Sequence, residues 1–401
     1  MRPFRSLISF DEALSKALGA APAITRTERL SLMESLGRVS AENVRSKISV
    51  PPFSRAAMDG YAVRARDTYG ASKHKPIRLV QNEVIRVGLV PTRTLSKGTC
   101  AEIATGAMLP KGADAVVMVE DTEKKGATIH FHESVHPGQN VSKKGEDILP
   151  GTKVVSSGEI ISPSKIGALA ALGRESVLVH ARPLVGVIST GDEIVELGNR
   201  LPPGKVYNIN SYTLASVVNA CGCQPRMVDI VDDTFEDLER TLRENSDCDV
   251  LVFSGGSSVG EKDIIADVVK RNGKIVFHGI AVKPGKPTLL GTVGRQLVFG
   301  MPGYPTACLS NAYILLSPVL RKIGRFPPEP VRSVEAKMAK RVVSTTGRTQ
   351  FLTVRLEGDV AHPAFKESGA ITSMAFADGY VVIPASVDLL EKGEKVVVHL
   401  L

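Results

Sequence analysis

Val250-Leu-Val-Phe-Ser254-Gly255-Gly256-Ser257-Ser258-Val259-Gly260-Glu261-Lys262-Asp263 is the stretch whose reading decides the fold. A short apolar run leads into three glycines and three serines, and a helical pattern follows. An apolar run without alternation means burial on both faces, as in a parallel sheet covered by helices. In such sheets ligands bind beyond the carboxyl ends of the strands, where helix N-termini also point. Glycines there let the backbone approach an anion and present its N–H groups. The spacing is neither a Walker loop nor the dinucleotide G-x-G-x-x-G. Locally, a phosphate cradle and a flexible turn capped by Asp263 both remain open.

The flanking sequence repeats the design. From residue 181 to 325 strands and helices alternate, which defines an α/β domain. Lys283-Pro-Gly-Lys286-Pro287 follows one strand and holds two cations in a stiff turn suited to oxyanions. Phe299-Gly-Met-Pro302-Gly303-Tyr304-Pro305 reads as strand, tight turn and helix, with Pro305 fitting the first helical position. Ser189-Thr190-Gly191-Asp192-Glu193 and Asp232-Asp233 also follow strands. With Asp263 they put carboxylates on loops at one sheet edge. Carboxylates beside a phosphate loop suit Mg²⁺, which takes oxygen ligands shared with substrate phosphates.

Beyond this domain the texture changes. Ser9 to Glu12 has capping-box form and opens a first helix. A second helix is expected from Thr27, with Leu30, Met33 and Leu36 inward and Gly37 as its cap. Pro51-Pro52 opens a small β domain over 50–140, with runs at Ile77–Val80, Val84–Val87, Cys100–Ala104, Ala115–Val119 and Thr128–His132. Residues 1–49 and 141–180 form a helical and bridging part, with a helix at Pro163–Leu172. Pro327-Pro-Glu-Pro330 reads as a linker before a β-rich region over 326–401.

Composition narrows the class. The net charge is +8, but the basic residues are scattered, so anionic small molecules are expected rather than nucleic acid. Five cysteines without framework spacing fit a reducing cytoplasm. No signal peptide or membrane-length apolar stretch appears.

Seven segments in order, PPFSRAAMDGYAV (51–63), TGAMLPKGADAVVMVED (105–121), GQNVSKKGEDI (138–148), STGDEI (189–194), FSGGSSVGEKD (253–263), KPGKPT (283–288) and GMPGYPTACL (300–309), resemble the molybdopterin molybdenumtransferases, the MoeA and gephyrin E-domain family. The resemblance implies a multidomain α/β plus β chain: a helical stretch, an inserted β domain, a molybdopterin-binding α/β domain and a C-terminal β-barrel. It implies a homodimer with its active site between the α/β domain of one subunit and the β domain of the other. The implied reaction inserts molybdate or tungstate into adenylated molybdopterin, with Mg²⁺, and releases AMP. Family acids fall on Asp59, Asp147, Glu193, Asp232 and Asp263, with Thr105 and Lys283 beside them. Lys283, Lys286, Ser254, Gly255, Gly256, Ser257, Ser258, Gly260, Pro302 and Gly303 would bind substrate; Glu193, Asp232 and Asp263 would bind metal. Gly279 stands where some members carry a lysine, leaving Lys286 or His278 to replace it, and a functional serine at Ser368 or Ser373 stays open. The molybdopterin adenylyltransferase, a supplier expected to make transient contact, is the alternative enzyme, but it lacks the added β domains. A gephyrin-like scaffold is the alternative outside enzymes.

Overall fold

Burial organises the central domain. In the computed structural model, residues 7–255, 264–328, 332–364 and 369–401 are described. Strands β1 (Leu184–Ser189), β2 (Gln224–Met227), β3 (Val250–Ser254), β4 (Lys274–His278), β5 (Leu289–Val293) and β6 (Gln296–Met301) form one sheet, ordered β2-β1-β3-β6-β5-β4. All run parallel except β5, which is antiparallel to both neighbours. Every residue of β3 and β6 is buried. The reason lies in the strand's two-residue period. Val250 and Val252 face a core shared with Leu214, Val218, Leu316 and Leu320, whereas Leu251 and Phe253 face Leu238, Leu242, Ile265 and Val269. Those partners belong to helices α1 (Asn210–Ala220), α2 (Phe235–Glu244), α3 (Ile264–Asn272) and the helical run Pro305–Ile323.

That last run widens into a π turn at Ala312–Leu316. Pro318 follows directly and has no N–H to give the carbonyl one turn back, so the ladder breaks where the turn widens.

The N-terminal helix Phe10–Ala20 is capped by Ser9, whose side chain accepts from the Glu12 amide, and it buries Ala13 and Ala17 in the α/β core. The second expected helix does not form. Thr27–Ser31 is a strand, paired antiparallel with Ser176–His180. Met33 and Leu36 are 76% and 47% exposed. Their three-residue spacing mimics a helical face, but backbone partners far along the chain outweigh so short a local preference.

In the inserted region, strands at Gly60–Val63, Ile77–Ile85, Thr99–Ile103, Ala115–Met118, Thr122–Lys125 and Thr128–Phe131 make a six-stranded mixed sheet. The two runs expected at Ile77–Val80 and Val84–Val87 are one strand with an irregularity at Gln81–Glu83. At the C-terminus, Thr349–Glu357 pairs with both Val360–Pro363 and Gly379–Ile383, closing a five-stranded barrel. Val282–Lys283 adds to its edge, parallel to Thr349–Gln350. Among the described residues no helix is long and apolar enough to cross a membrane.

Arg26 clamps Asp249 through two bonds of 3.0 and 2.8 Å, and the same carboxylate accepts from the Leu184 amide at 2.8 Å. Arg26→Ala removes a half-exposed ion pair and costs about 1 kcal/mol or less. Asp249→Ala also strips a backbone N–H of its acceptor and costs roughly 1–3 kcal/mol. Thermal melts of the two variants should therefore rank Asp249→Ala as the more damaging.

Candidate active site at the carboxyl rim of the sheet

Register fixes where the loops emerge. Ser189, Ser254 and Met301 end β1, β3 and β6 and are mutual register partners. Leu289 opens β5 opposite Gly300 and opposite His278, the end of β4. The Lys283–Thr288 segment therefore belongs to the same rim. Thr190 bridges Val231, so Glu193 and Asp232 leave from adjacent loops. Both are exposed.

The floor of this rim is glycine. A Cβ at Gly255, whose φ is +107°, would lie 2.1 Å from the Thr190 carbonyl oxygen. One at Gly303 would lie 3.7 Å from Gly255 Cα, and one at Gly191 would lie 2.6 Å from Glu193 Oε2. Three loops thus meet backbone to backbone. Asn210 joins two of them, its Nδ2 donating to Ser254 Oγ at 2.7 Å and to the Gly303 carbonyl at 2.8 Å. Ser189 Oγ donates to Asn208 Oδ1 at 2.8 Å and shares a 2.8 Å bond with Ser211 Oγ. Asn208 reaches Glu196 in turn, and the Tyr212 hydroxyl holds the Glu196 carboxyl below its ordinary range. Cys308 Sγ lies 3.7 Å from Ser254 Oγ. Burial pushes its thiol up to about 12, so it is a neutral packing group rather than a nucleophile.

Lys283 and Lys286 are half-buried on a turn locked to the helix. Asn311 Nδ2 donates to the Gly285 carbonyl at 2.9 Å and to Thr288 Oγ1 at 2.7 Å. A Cβ at Gly285, with φ +101°, would strike that amide at 2.2 Å. Lys283 Nζ donates to Thr345 Oγ1 of the barrel region at 3.1 Å. The barrel region also meets the rim where Thr306 Oγ1 donates to the Ala370 carbonyl at 2.8 Å.

Of the residues anticipated for this site, Glu193, Asp232, Ser254, Gly255, Lys283, Lys286, Pro302 and Gly303 all belong to the rim, with Pro302 buried and Gly303 exposed. Gly256, Ser257, Ser258, Gly260, Asp263 and Ser368 lie outside the described residues. Ser373 is fully buried. The residues that sequence reasoning missed are the amides Asn208, Asn210 and Asn311. Their signal was faint: two asparagines at the start of one helix, and a third inside another.

Asp59 and Thr105 form a second cluster, and Asp147 is exposed on the segment that pairs with the entry to the same region, its amide donating to the Val50 carbonyl at 3.1 Å. Asp59 Oδ1 accepts from the Thr105 amide at 2.6 Å and from Thr105 Oγ1 at 2.9 Å, and these bonds hold its carboxyl below the usual range. The Ala56 amide donates to the Ala107 carbonyl at 3.0 Å, and the Lys144 amide donates to Ser54 Oγ at 3.1 Å. The segments 51–60, 105–114 and 138–148 are thereby knitted into one face of the inserted region. Among the described residues the bonds of Asp59, Thr105 and Asp147 stay within it and its entry strand, and none reaches the sheet rim.

Comparison with known proteins bears directly on this arrangement. A model of the MoeA N-terminal region (domain I and II) matches residues 8–173, one described as "Probable molybdopterin binding domain" matches 186–322, and one of the MoeA C-terminal region (domain IV) matches 335–401. The molybdopterin molybdenumtransferase of Haemophilus influenzae is 31% identical over 402 residues, 98% of each chain. That of Bacillus subtilis is 31% identical over 390 residues, covering 94% of this chain and 90% of its own. A crystal structure of a molybdopterin biosynthesis MoeA protein from Pyrococcus horikoshii superimposes with a TM-score of 0.88 at 41% identity, covering 98% of this chain and 99% of its own. The chain belongs to the MoeA family.

Two outcomes test the geometry of this MoeA-family site. Gly255→Ala forces its new methyl against a backbone oxygen, which costs about 1–3 kcal/mol as overpacking does, and a lowered melting temperature should show it. In Thr105→Val the backbone bond to Asp59 survives and the hydroxyl bond is lost. The Asp59 pKa then moves up towards its ordinary value, as NMR titration of the carboxyl would read. A depressed carboxylate adds stability above its unfolded pKa and loses it as pH falls through the folded one. That loss runs from the unfolded pKa down to the folded one, so in the variant it is smaller and is complete at a higher pH.

Proposed function

We propose that this chain inserts molybdenum into molybdopterin, taking the adenylated form with molybdate and releasing AMP. The observation that carries the reading is the convergence at one rim of the Gly255–Gly303 floor, the Lys283–Lys286 turn and the Glu193 and Asp232 loops. A bare backbone floor suits a phosphate group that must come close. Lys283 spends one of its three N–H donors on Thr345 and keeps two for a ligand. As the phosphoanhydride breaks, negative charge grows on the departing phosphate. Fixed cations beside it stabilise that charge without reorganising.

Asp59 supplies the opposite character. Ionised and oriented by Thr105, it suits accepting a hydrogen bond from a protonated thiol or molybdate oxygen and so fixing where that group stands. In the proposed homodimer, the partner's Asp59 and Thr105 close the site over the sheet rim. Magnesium belongs to this proposal as well. Among the described residues, no three His, Cys, Asp or Glu side chains gather into a metal cage. Mg²⁺ commonly takes one or two carboxylates together with substrate phosphates. Glu193 and Asp232 therefore fit an ion that arrives with the substrate, and its chemistry there is charge neutralisation. A cytoplasmic setting and a passing contact with the adenylyltransferase that makes the substrate complete the picture.

Purified protein given adenylated molybdopterin and molybdate should release AMP and reconstitute an apo-molybdoenzyme; neither product appearing would end the proposal. Lys283→Ala and Asp59→Asn should each lower the rate on the order of a hundredfold, the size of one lost electrostatic contact. Mixed after subunit exchange, the two variants should recover about a quarter of wild-type activity, because half of randomly paired dimers hold one intact site of two. No recovery would place the whole site within a single chain.

A further inference from the structure

Tyr304 is 68% exposed, although the turn carrying it is fixed on both sides. Pro302 before it is buried, and the Gly303 carbonyl is tied to Asn210. Its own carbonyl accepts from the Cys308 amide at 2.9 Å. Its ψ of 128° is the extended geometry that Pro305 requires of the residue before it. The ring is therefore an aromatic plate on a fixed mount, and tyrosine, with two side-chain torsions, loses little freedom when a ligand covers it.

The surroundings indicate what that ligand is. Ring atom Cδ1 lies 3.7 Å from where a Cβ at Gly369 would stand, so bare backbone of the barrel region backs one edge of the ring. One residue away, Gly303 belongs to the glycine floor. Two buried polar atoms flank that floor without partners among the described residues, the hydroxyl Oγ1 of Thr190 and the amide oxygen Oδ1 of Asn210, on residues only 1% and 7% exposed. These are polar groups whose bonding the protein itself leaves incomplete. A nucleotide or a phosphorylated pterin carries a planar heterocycle only a sugar or a short link away from its phosphate. A ring platform one residue from a phosphate floor matches that spacing.

We infer that Tyr304 is a stacking platform for a planar nitrogen heterocycle of the substrate, a positioning and specificity role resting on the reading given under Proposed function. The π-face does the work, because no hydrogen bond engages the hydroxyl among the described residues. Stacking of a base on an aromatic side chain is tolerant of ring identity, so adenine and pterin share the required chemistry.

The chain contains no tryptophan, which makes Tyr304→Trp a single reporter at the proposed contact. Its fluorescence should be quenched saturably by adenylated molybdopterin. Quenching by AMP alone assigns adenine as the stacked ring; quenching by molybdopterin but not AMP assigns the pterin. In steady-state assays Tyr304→Ala should raise KM for the adenylated substrate on the order of tenfold, the usual size of a lost base stack, with kcat little changed. Tyr304→Phe should behave as wild type. If wild type turns over but no ligand quenches the tryptophan, or Tyr304→Ala keeps the wild-type KM, the platform is refuted while the reaction assignment stands. If wild type neither binds nor converts the adenylated substrate, the reaction assignment fails instead.

Discussion

The carboxamide of Asn210 is the tie on which the rest of the rim depends. Its nitrogen spans from Ser254 Oγ, at the end of one central strand, to the carbonyl of Gly303, in the turn after the next. The two strands are already in register, so the tie does not align them. It sets how closely their loops approach once the strands have ended. Only glycine can occupy the resulting contact: a methyl at Gly255 would enter the Thr190 carbonyl. Sheet register, one buried amide and the missing side chains together make a backbone surface, and backbone surfaces present donors at distances that side chains would block.

Charge is divided between two places. The sheet rim carries the lysines on a turn braced by Asn311, while an ionised, oriented carboxylate stands on the inserted region. In the proposed homodimer a partner's inserted region would bring the two together at one substrate. The rim carries exposed carboxylates of its own, Glu193 and Asp232, and among the described residues Lys283 bonds Thr345 rather than either of them. Its charge therefore stays available to a ligand.

Much of this was legible in the sequence where one physical rule acts alone. Continuous apolar strands announce burial on both faces, and Val250–Ser254 and Gln296–Met301 are buried at every position. The helix Phe235–Glu244 was legible because cap and amphipathic face agree. Thr27–Ser31 was not, since its bonding partners lie beyond residue 175 and its apolar spacing imitates a helix. The strand Leu289–Val293 escaped notice as well, for its antiparallel course is set by the return from the Lys283 turn rather than by composition. The convergence of Glu193, Asp232, Gly303 and Lys283 followed from strand order once an α/β sheet was assumed. The asparagines that fix their geometry did not, because a buried amide looks like any polar residue until its partners are known.

The C-terminal barrel is bonded to the sheet rim. Val282–Lys283 extends the barrel sheet by pairing with Thr349–Gln350, so the residues just before the KPGKP turn are barrel edge and α/β loop at once. Lys283 bonds Thr345, and Thr306 at the start of the helical run bonds Ala370. A rotation of the barrel against the sheet would drag the lysine and the turn beneath Tyr304 together. Two hydrogen bonds and a two-residue strand pairing are weak restraints one by one, but they hold both the lysine turn and the start of the helical run to the barrel. The barrel is thus a brace that sets the spacing between the cationic turn and the floor, which is the dimension a phosphorylated ligand must match.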